Sequence, residues 1–158
     1  MVELALPRQL HAIGRRAIGE AVARRAATVE AEHVLLAILD RAAGAASAAL
    51  ARAGLDYATL ESALDAERTR SLAAAGVAPI ALATLNATPR TEKPGWGASV
   101  RDVLRRADKP AAKDGRPGAL EIELASTILR AEIGTVPRAL AIAEIDRTSL
   151  WAALDSAG

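Results

Sequence analysis

The sequence predicts an all-α protein that contains two copies of a four-helix repeat, about eight helices in its 158 residues. The first observation is a duplication: residues 44–56 align without a gap with residues 134–146, and matches at the same offset continue in both directions. The second is composition, since 51% of residues are hydrophobic but only 2% aromatic, which favours Ala- and Leu-rich helices over strands. The third is the same helix-capping residue at the same phase of both copies, Asp56 and Asp146. We therefore expect two copies of one unit that bury their apolar faces together.

Composition and charge narrow the class of protein. Cysteine is absent, which excludes disulfides, thiolate metal sites and cysteine nucleophiles. The net charge of +1 lacks the basic excess typical of nucleic-acid-binding domains. No N-terminal leader pattern and no run of 18 apolar residues is present, so we expect a soluble cytoplasmic protein with no membrane partner. We expect one domain over residues 1–158, with repeats at about 5–75 and 99–158 and a loop at about 76–98.

Periodicity and capping residues predict four helices in the first repeat. The first helix is expected from about residue 7 to 25, because Leu10, Ile13, Ala17 and Ala21 form an apolar stripe at helical spacing. Pro7 suits its first turn. Thr28 is the expected N-cap of the second helix, whose inward residues are Leu35, Leu36, Ile38 and Leu39. Gly44 ends that helix, and a third follows to Gly54, a residue suited to a left-handed C-terminal cap. Asp56 then caps a fourth helix that contains Leu60 and Leu64.

The second repeat follows the same pattern with one weak helix. Its first helix begins near Ser99, but Pro110 and the segment 115–118 interrupt the pattern, so we expect this helix to be shorter or bent at Pro110. Asp146 caps a last helix that contains Leu150 and Leu154. The segment 76–98 between the repeats is longer than most connections in compact domains, and such loops are mobile or functional.

One segment of the first repeat carries a resemblance to a known family. A Glu32-His33 pair opens a Leu-rich helix, a turn at Gly44 follows, and an Ala-rich helix ends at Gly54-Leu55. With the duplication, this pattern resembles the N-terminal domain of the Clp family of bacterial AAA+ unfoldases. The resemblance implies a helical pseudo-dimer that receives substrates and adaptor proteins and, in some members, binds phosphorylated arginine at one site in each repeat. The sequence has no Gly-x-x-x-x-Gly-Lys-Ser/Thr loop for ATP, so it looks like a stand-alone Clp N-domain without cofactors.

The chain departs from the family pattern at the expected ligand site. Glu30-Ala31 stands where the family commonly has Gly-Thr, so a hydroxyl is lost and a carboxylate is gained. That carboxylate should repel a phosphoryl group, although it can hold a guanidinium group. In the second repeat Glu123 stands opposite His33 in the gapless register, or opposite Glu32 if one residue is inserted. Neither register restores the Glu-His pair, so we expect no two equivalent phosphoarginine sites and a ligand that favours the first half.

The candidate ligand-binding or peptide-binding residues are Glu30, Glu32, His33, Trp96 and Glu123. Glu32 is either a ligand carboxylate or a helix-N-terminal acid that stabilises the helix dipole. His33 suits a structural role better than a catalytic one. Trp96, flanked by two glycines, is either an exposed anchor for a partner or a plug between the repeats. No catalytic constellation and no metal-ligand spacing is present.

These observations favour a non-enzymatic module that binds proteins or peptides. We expect an accessory, adaptor-like or decoy protein whose partner is a Clp unfoldase, an adaptor or a substrate. The alternative is a protein that binds and sequesters a small molecule or cyclic peptide in the cleft between the two halves.

Overall fold

Eight helices lie in residues 8–78 and 93–158, the parts of the chain that the computed structural model describes. The first repeat contains α1 (Arg8–Ala23), α2 (Ala31–Leu39), α3 (Ala45–Arg52) and α4 (Tyr57–Ala74), and the second contains α5 (Ala98–Asp114), α6 (Ala119–Arg130), α7 (Thr135–Ile142) and α8 (Arg147–Asp155). Two short strands, β1 (Thr28–Val29) and β2 (Gly95–Trp96), form one parallel pair. The predicted class, all-α with a duplicated four-helix repeat, is confirmed.

The two repeats interlock through their shorter helices. Within each repeat the first two helices pack together, α1 on α2 and α5 on α6. Across the repeats α4 packs on α7, while α3 packs on α8. The third helix of each copy therefore covers the fourth helix of the other, as a pseudo-twofold arrangement requires. Because the apolar faces meet across this interface, each repeat supplies part of the other's core.

Apolar side chains at the predicted positions form the core. The stripe of α1 is buried, and so is every residue of α2 from His33 to Leu39. In the second repeat the corresponding apolar positions are buried as well, among them Val100, Val103, Ala107, Ala111, Leu124, Ile128 and Leu129. Alanine at many of these sites lets neighbouring helices approach closely without aromatic side chains between them.

The prediction that Thr28 caps α2 is wrong. Glu30 is the N-cap residue, in extended backbone with φ −115°, and Thr28 belongs to β1 instead. Pairing of β1 with β2 holds residues 28–29 extended, so the helix begins later than local signals suggested. The predicted caps at Asp56 and Asp146 are confirmed, since the Asp56 carboxylate accepts the Thr59 N–H at 2.8 Å and Asp146 accepts the Thr148 N–H at 3.0 Å. Pro7 lies outside the described residues.

Of the two alternatives expected for α5, shorter or bent at Pro110, the shortening is wrong. The helix has 17 residues, against 16 in α1, and it continues through Pro110 to a left-handed Gly115. Pro110 is exposed, and so is Arg106, whose carbonyl loses its helical partner and can bond to water instead. The opposite face keeps Ala107 and Ala111 buried, and this packing offsets the lost hydrogen bond. Of the segment predicted as a loop, residues 79–92 lie outside the described parts, and Gly95 and Trp96 form β2.

Left-handed residues recur at the same position of both repeats. After α3 this residue is Gly54, with φ +93°, and after α7 it is Glu144, with φ +55°. Glycine adopts this conformation freely, whereas a residue with a Cβ is strained there by about 1 kcal/mol.

Replacing Glu144 with glycine should therefore raise the free energy of unfolding by about 0.5–1 kcal/mol. The matched reverse change is Gly54→Ala, whose Cβ would meet no atom within 4 Å, so backbone strain alone should lower stability by about 1 kcal/mol. Urea unfolding of both variants measures the two effects. Equal changes of the same sign would contradict the assignment of strain to this position.

Candidate functional site

The parallel pair of β1 and β2, which we call the ladder, joins the first repeat to the start of the second. Thr28 pairs with Gly95 and Val29 with Trp96, and the Gly97 N–H donates to the Val29 carbonyl at 2.9 Å. Trp96 is half-buried and packs against the hydrophobic core. Between the two alternatives for this tryptophan, the geometry favours the plug between repeats over the exposed anchor.

The Glu30 carboxylate connects the starts of α2 and α5. It accepts the Ser99 N–H at 3.2 Å, the Ser99 hydroxyl and the Thr28 hydroxyl at 2.9 Å. Ser99 in turn accepts the Ala31 N–H at 2.9 Å on its hydroxyl oxygen. These bonds satisfy backbone donors in the first turns of both helices, which helix geometry leaves without intrahelical partners. Glu30 is thus an internal cap that crosses the repeat boundary.

His33 has a structural environment. Its side chain is 4% exposed, and its Nδ1 accepts the Glu30 N–H at 2.9 Å. Burial, with a smaller contribution from the positive charge of Arg24, lowers the pKa of His33 to about 4. The imidazole is therefore neutral at pH 7 and acts as a hydrogen-bond acceptor within the fold. This is the role that the sequence analysis favoured for His33.

A cleft of about 250 Å³ opens beside this ladder. Its walls are the start of α2, one face of α5, the end of α6 and the start of α7. Its charged side chains are Glu30, Glu32, Asp102 and Arg106, and an ion pair of 2.9 Å joins the last two. Its apolar walls include Val103, Ile128 and Val136. The cleft therefore has apolar walls. Besides the Asp102–Arg106 ion pair, the charged groups among its described lining residues are the carboxylates of Glu30 and Glu32.

Glu32 is the acid of this cleft whose carboxylate is available to bind a cationic group. Its carboxylate makes no ion pair or side-chain hydrogen bond with any residue that the structure describes. Burial raises the pKa of Glu32, and the negative charges of Glu30 and Glu67 add to that increase. A hydrogen bond from the backbone N–H of Glu32 and the positive charge of Arg138 offset part of it. A partly desolvated carboxylate is stabilised by an incoming cation, because ion pairing restores the interactions lost with water.

Ile133 lies at the rim of the same cleft and is 90% exposed. Together with the apolar walls of the cleft, Ile133 forms a surface on which an apolar side chain of a partner can pack. Sequence reasoning missed Ile133, Asp102 and Arg106. The available signal for Ile133 was an apolar residue between Glu132 and the turn glycine Gly134, where no helix face needs one.

The structure brings together only part of the predicted site. Glu30 and Glu32 line the cleft, whereas His33 lies behind it and Trp96 belongs to the ladder. Glu123 is half-buried on α6 and does not line the cleft. The first half thus contributes more of the predicted residues than the second.

The described residues contain neither a helix suited to cross a membrane nor a cluster suited to hold a metal ion. No helix within 8–78 and 93–158 is both long enough and apolar enough to cross a membrane. Over the same ranges, no three His, Asp or Glu side chains lie close enough together to hold a metal ion.

Comparison with known proteins gives the family. A search of curated proteins finds no match. The family model described as "Clp repeat (R) N-terminal domain" matches residues 8–117, well over half of the chain. This range spans the complete first repeat, both strands and α5, and it ends just before α6. Together with the duplicated four-helix architecture, this match shows that the chain belongs to the family of Clp N-terminal domains, which are protein-interaction domains.

Proposed function

We propose that the chain uses the cleft beside the ladder to bind segments of other proteins, as an accessory of a cytoplasmic Clp unfoldase system. In this role it presents substrates, competes for adaptors, or sequesters ligands of the unfoldase's own N-terminal domain. The observation that carries the proposal is the partly desolvated Glu32, which has no ion-pair partner among the described residues, in a cleft whose rim exposes Ile133. Family membership supports a protein as the partner.

The cleft favours a partner segment with a basic side chain next to an apolar one. The basic group pairs with Glu32, where burial strengthens the electrostatic attraction. The apolar residue packs on Ile133 and the walls formed by Ile128 and Val136. Glu30 contributes a further negative charge, so an anionic group on the ligand would be repelled.

The polar groups around the cleft support binding over catalysis. Ser99 donates its hydroxyl proton to Glu30 and accepts the Ala31 N–H, and His33 Nδ1 accepts the Glu30 N–H. Both side chains are thus engaged in holding the starts of α2 and α5. We therefore propose a module without enzymatic activity.

A photo-crosslinking amino acid at position 133 tests the proposed partner class. Val77, which is 42% exposed and does not line the cleft, is the matched control position. We expect crosslinks in host cells from position 133, and not from 77, to a Clp unfoldase subunit, an adaptor or a Clp substrate. Identical products from both positions, or none of these three classes, would contradict the proposal.

Substituting Glu32 should weaken partner binding more than substituting Glu123. Glu32→Gln removes the charge that pairs with the partner, and the loss of a charged hydrogen bond corresponds to about a 10- to 100-fold change in affinity. Glu123→Gln is a control of the same chemistry outside the cleft, and we expect less than a twofold change. Titration of the crosslinked partner, once purified, measures both. Equal losses would show that the two halves bind symmetrically.

A second candidate function is sequestration of a small molecule or cyclic peptide in the same cleft. Its enclosed apolar walls favour such a ligand, but its volume of about 250 Å³ is below the roughly 300–1,000 Å³ usual for drug-sized ligands. A thermal-shift screen with arginine, phosphoarginine and cyclic peptides separates the candidates. A saturable rise in melting temperature with a cyclic peptide alone would favour this second function.

A further inference from the structure

The pseudo-twofold arrangement relates the open cleft to a second location on the molecule. The open cleft lies among the starts of α2 and α7, the end of α6 and one face of α5. Its counterpart lies among the starts of α6 and α3, the end of α2 and one face of α1, and we call it the second cleft. Arg41, Gly44 and Glu121 occupy it, at the positions equivalent to Ala131, Gly134 and Ala31.

An ion pair occupies the second cleft. The Arg41 guanidinium bonds to the Glu121 carboxylate, and the two groups come from different repeats. The Glu121 side chain is 9% exposed and that of Arg41 is 39% exposed. In the open cleft the residue equivalent to Arg41 is Ala131, which is too short to reach across. One cleft is therefore filled by an arginine of the chain itself, and the other is open.

The surroundings of Glu121 fit a guanidinium group. A Cβ on Gly44 would lie 2.8 Å from Glu121 Oε2, so glycine is what leaves room for the carboxylate. A buried carboxylate without a cation is strongly unfavourable, and the planar guanidinium group matches carboxylate geometry better than an ammonium group does. At the end of α2 and on α1, Asp40 and Arg16 pair with each other at 2.5 Å.

We infer that Arg41 is a built-in ligand of the second cleft, so that only one of these two pseudo-symmetric clefts of the described residues is open, and that removing Arg41 creates a second site for a guanidinium side chain. The inference goes beyond the proposed function and does not depend on what the open cleft binds. It also explains how a duplicated fold comes to open only one of these two equivalent clefts: the other is closed by the chain's own side chain.

The test is an NMR titration of Arg41→Ala with N-acetyl-arginine amide. We expect saturable shifts of the Gly44 and Glu121 amide signals, with a rise of several degrees in melting temperature. N-acetyl-lysine amide should bind there at least fivefold more weakly. In the unmodified protein these two signals should not respond, and Arg16→Ala, which breaks an exposed ion pair, should behave like the unmodified protein. A folded Arg41→Ala protein without saturable shifts, or with equal responses to both probes, would overturn the inference.

A measurement on the unmodified protein covers the case in which Arg41→Ala does not fold. Bound guanidinium groups rotate and exchange their protons slowly, so the Arg41 side-chain nitrogen signals should be resolved and protected. Those of Arg16, whose ion pair is about half exposed, serve as the reference. Equal exchange at Arg41 and Arg16 would show that the second cleft does not hold its arginine as a ligand.

Discussion

Replacing Gly97 with alanine is expected to lower the free energy of unfolding by about 2 kcal/mol. A Cβ at this position would overlap the Glu30 carboxylate, while the backbone φ of −77° suits any residue. The Glu30 side chain would have to leave, and its bonds to both Ser99 donors and to the Thr28 hydroxyl would break. The starts of α2 and α5 would then lose their shared cap. Urea or thermal unfolding measures the change.

Gly95→Ala is the control for this prediction. Gly95 lies in the same ladder, but a Cβ there would meet no atom within 4 Å. We expect a change within about 0.5 kcal/mol, typical of a surface substitution. Equal destabilisation by the two alanines would mean that the ladder as a whole, and not the space taken by the Glu30 carboxylate, determines the effect.

Acidification is expected to remove about 3 kcal/mol of stability through His33 alone. The pKa of His33 is about 4 in the folded protein, against an ordinary value of 6.5. The unfolded state therefore binds the proton more readily, and the contribution of the neutral imidazole is complete above pH 6.5 and lost as the pH falls to 4. Protonation also places a hydrogen on Nδ1, which then cannot accept the Glu30 N–H.

The His33 contribution is measured as the difference between two pH profiles of unfolding free energy. In His33→Gln the amide oxygen can still accept a hydrogen bond but does not titrate in this range, so the variant should lose less stability between pH 6.5 and 4 than the unmodified protein. Subtracting the two profiles removes the contribution of carboxylates that also titrate at low pH. Asp56 is one example, since hydrogen bonds to Thr59 lower its pKa. His11→Gln, at an exposed position, is the matched control and should keep the unmodified profile. Parallel profiles for His33→Gln and the unmodified protein would contradict the assignment.

Both predictions concern the wall of the candidate site. Glu30 and His33 hold the start of α2, and that start presents Glu32 to the cleft. A variant that loses the cap or the neutral imidazole should therefore also bind partners less well. Stability and partner binding are linked because the first turn of α2 contains both the capping contacts of Glu30 and His33 and the cleft residue Glu32.

Local signals were sufficient for most helix ends. The aspartate caps at Asp56 and Asp146 act within three residues of themselves, and the left-handed Gly54 terminates its helix by its own backbone preference. The start of α2 was mispredicted because Thr28 is held extended by pairing with Gly95, which is distant in the chain, and the Glu30 cap also bonds to Ser99. The continuation of α5 through Pro110 likewise depends on core packing, which local helix propensity does not contain.

The sequence by itself determined the duplication, the helical class and the apolar faces. These features depend on hydrophobic periodicity, helix caps and a repeated spacing, all of which are local patterns along the chain. Only the tertiary structure decided which acids are available. Glu32 lies in an open cleft without an ion-pair partner among the described residues, Glu30 is used as a cap, and Glu121 is paired with Arg41 in the related position. The physical reason is that pairing and desolvation depend on groups that folding brings together from distant parts of both repeats. A carboxylate's role is set by those neighbours, and the linear sequence does not show which neighbours it will have.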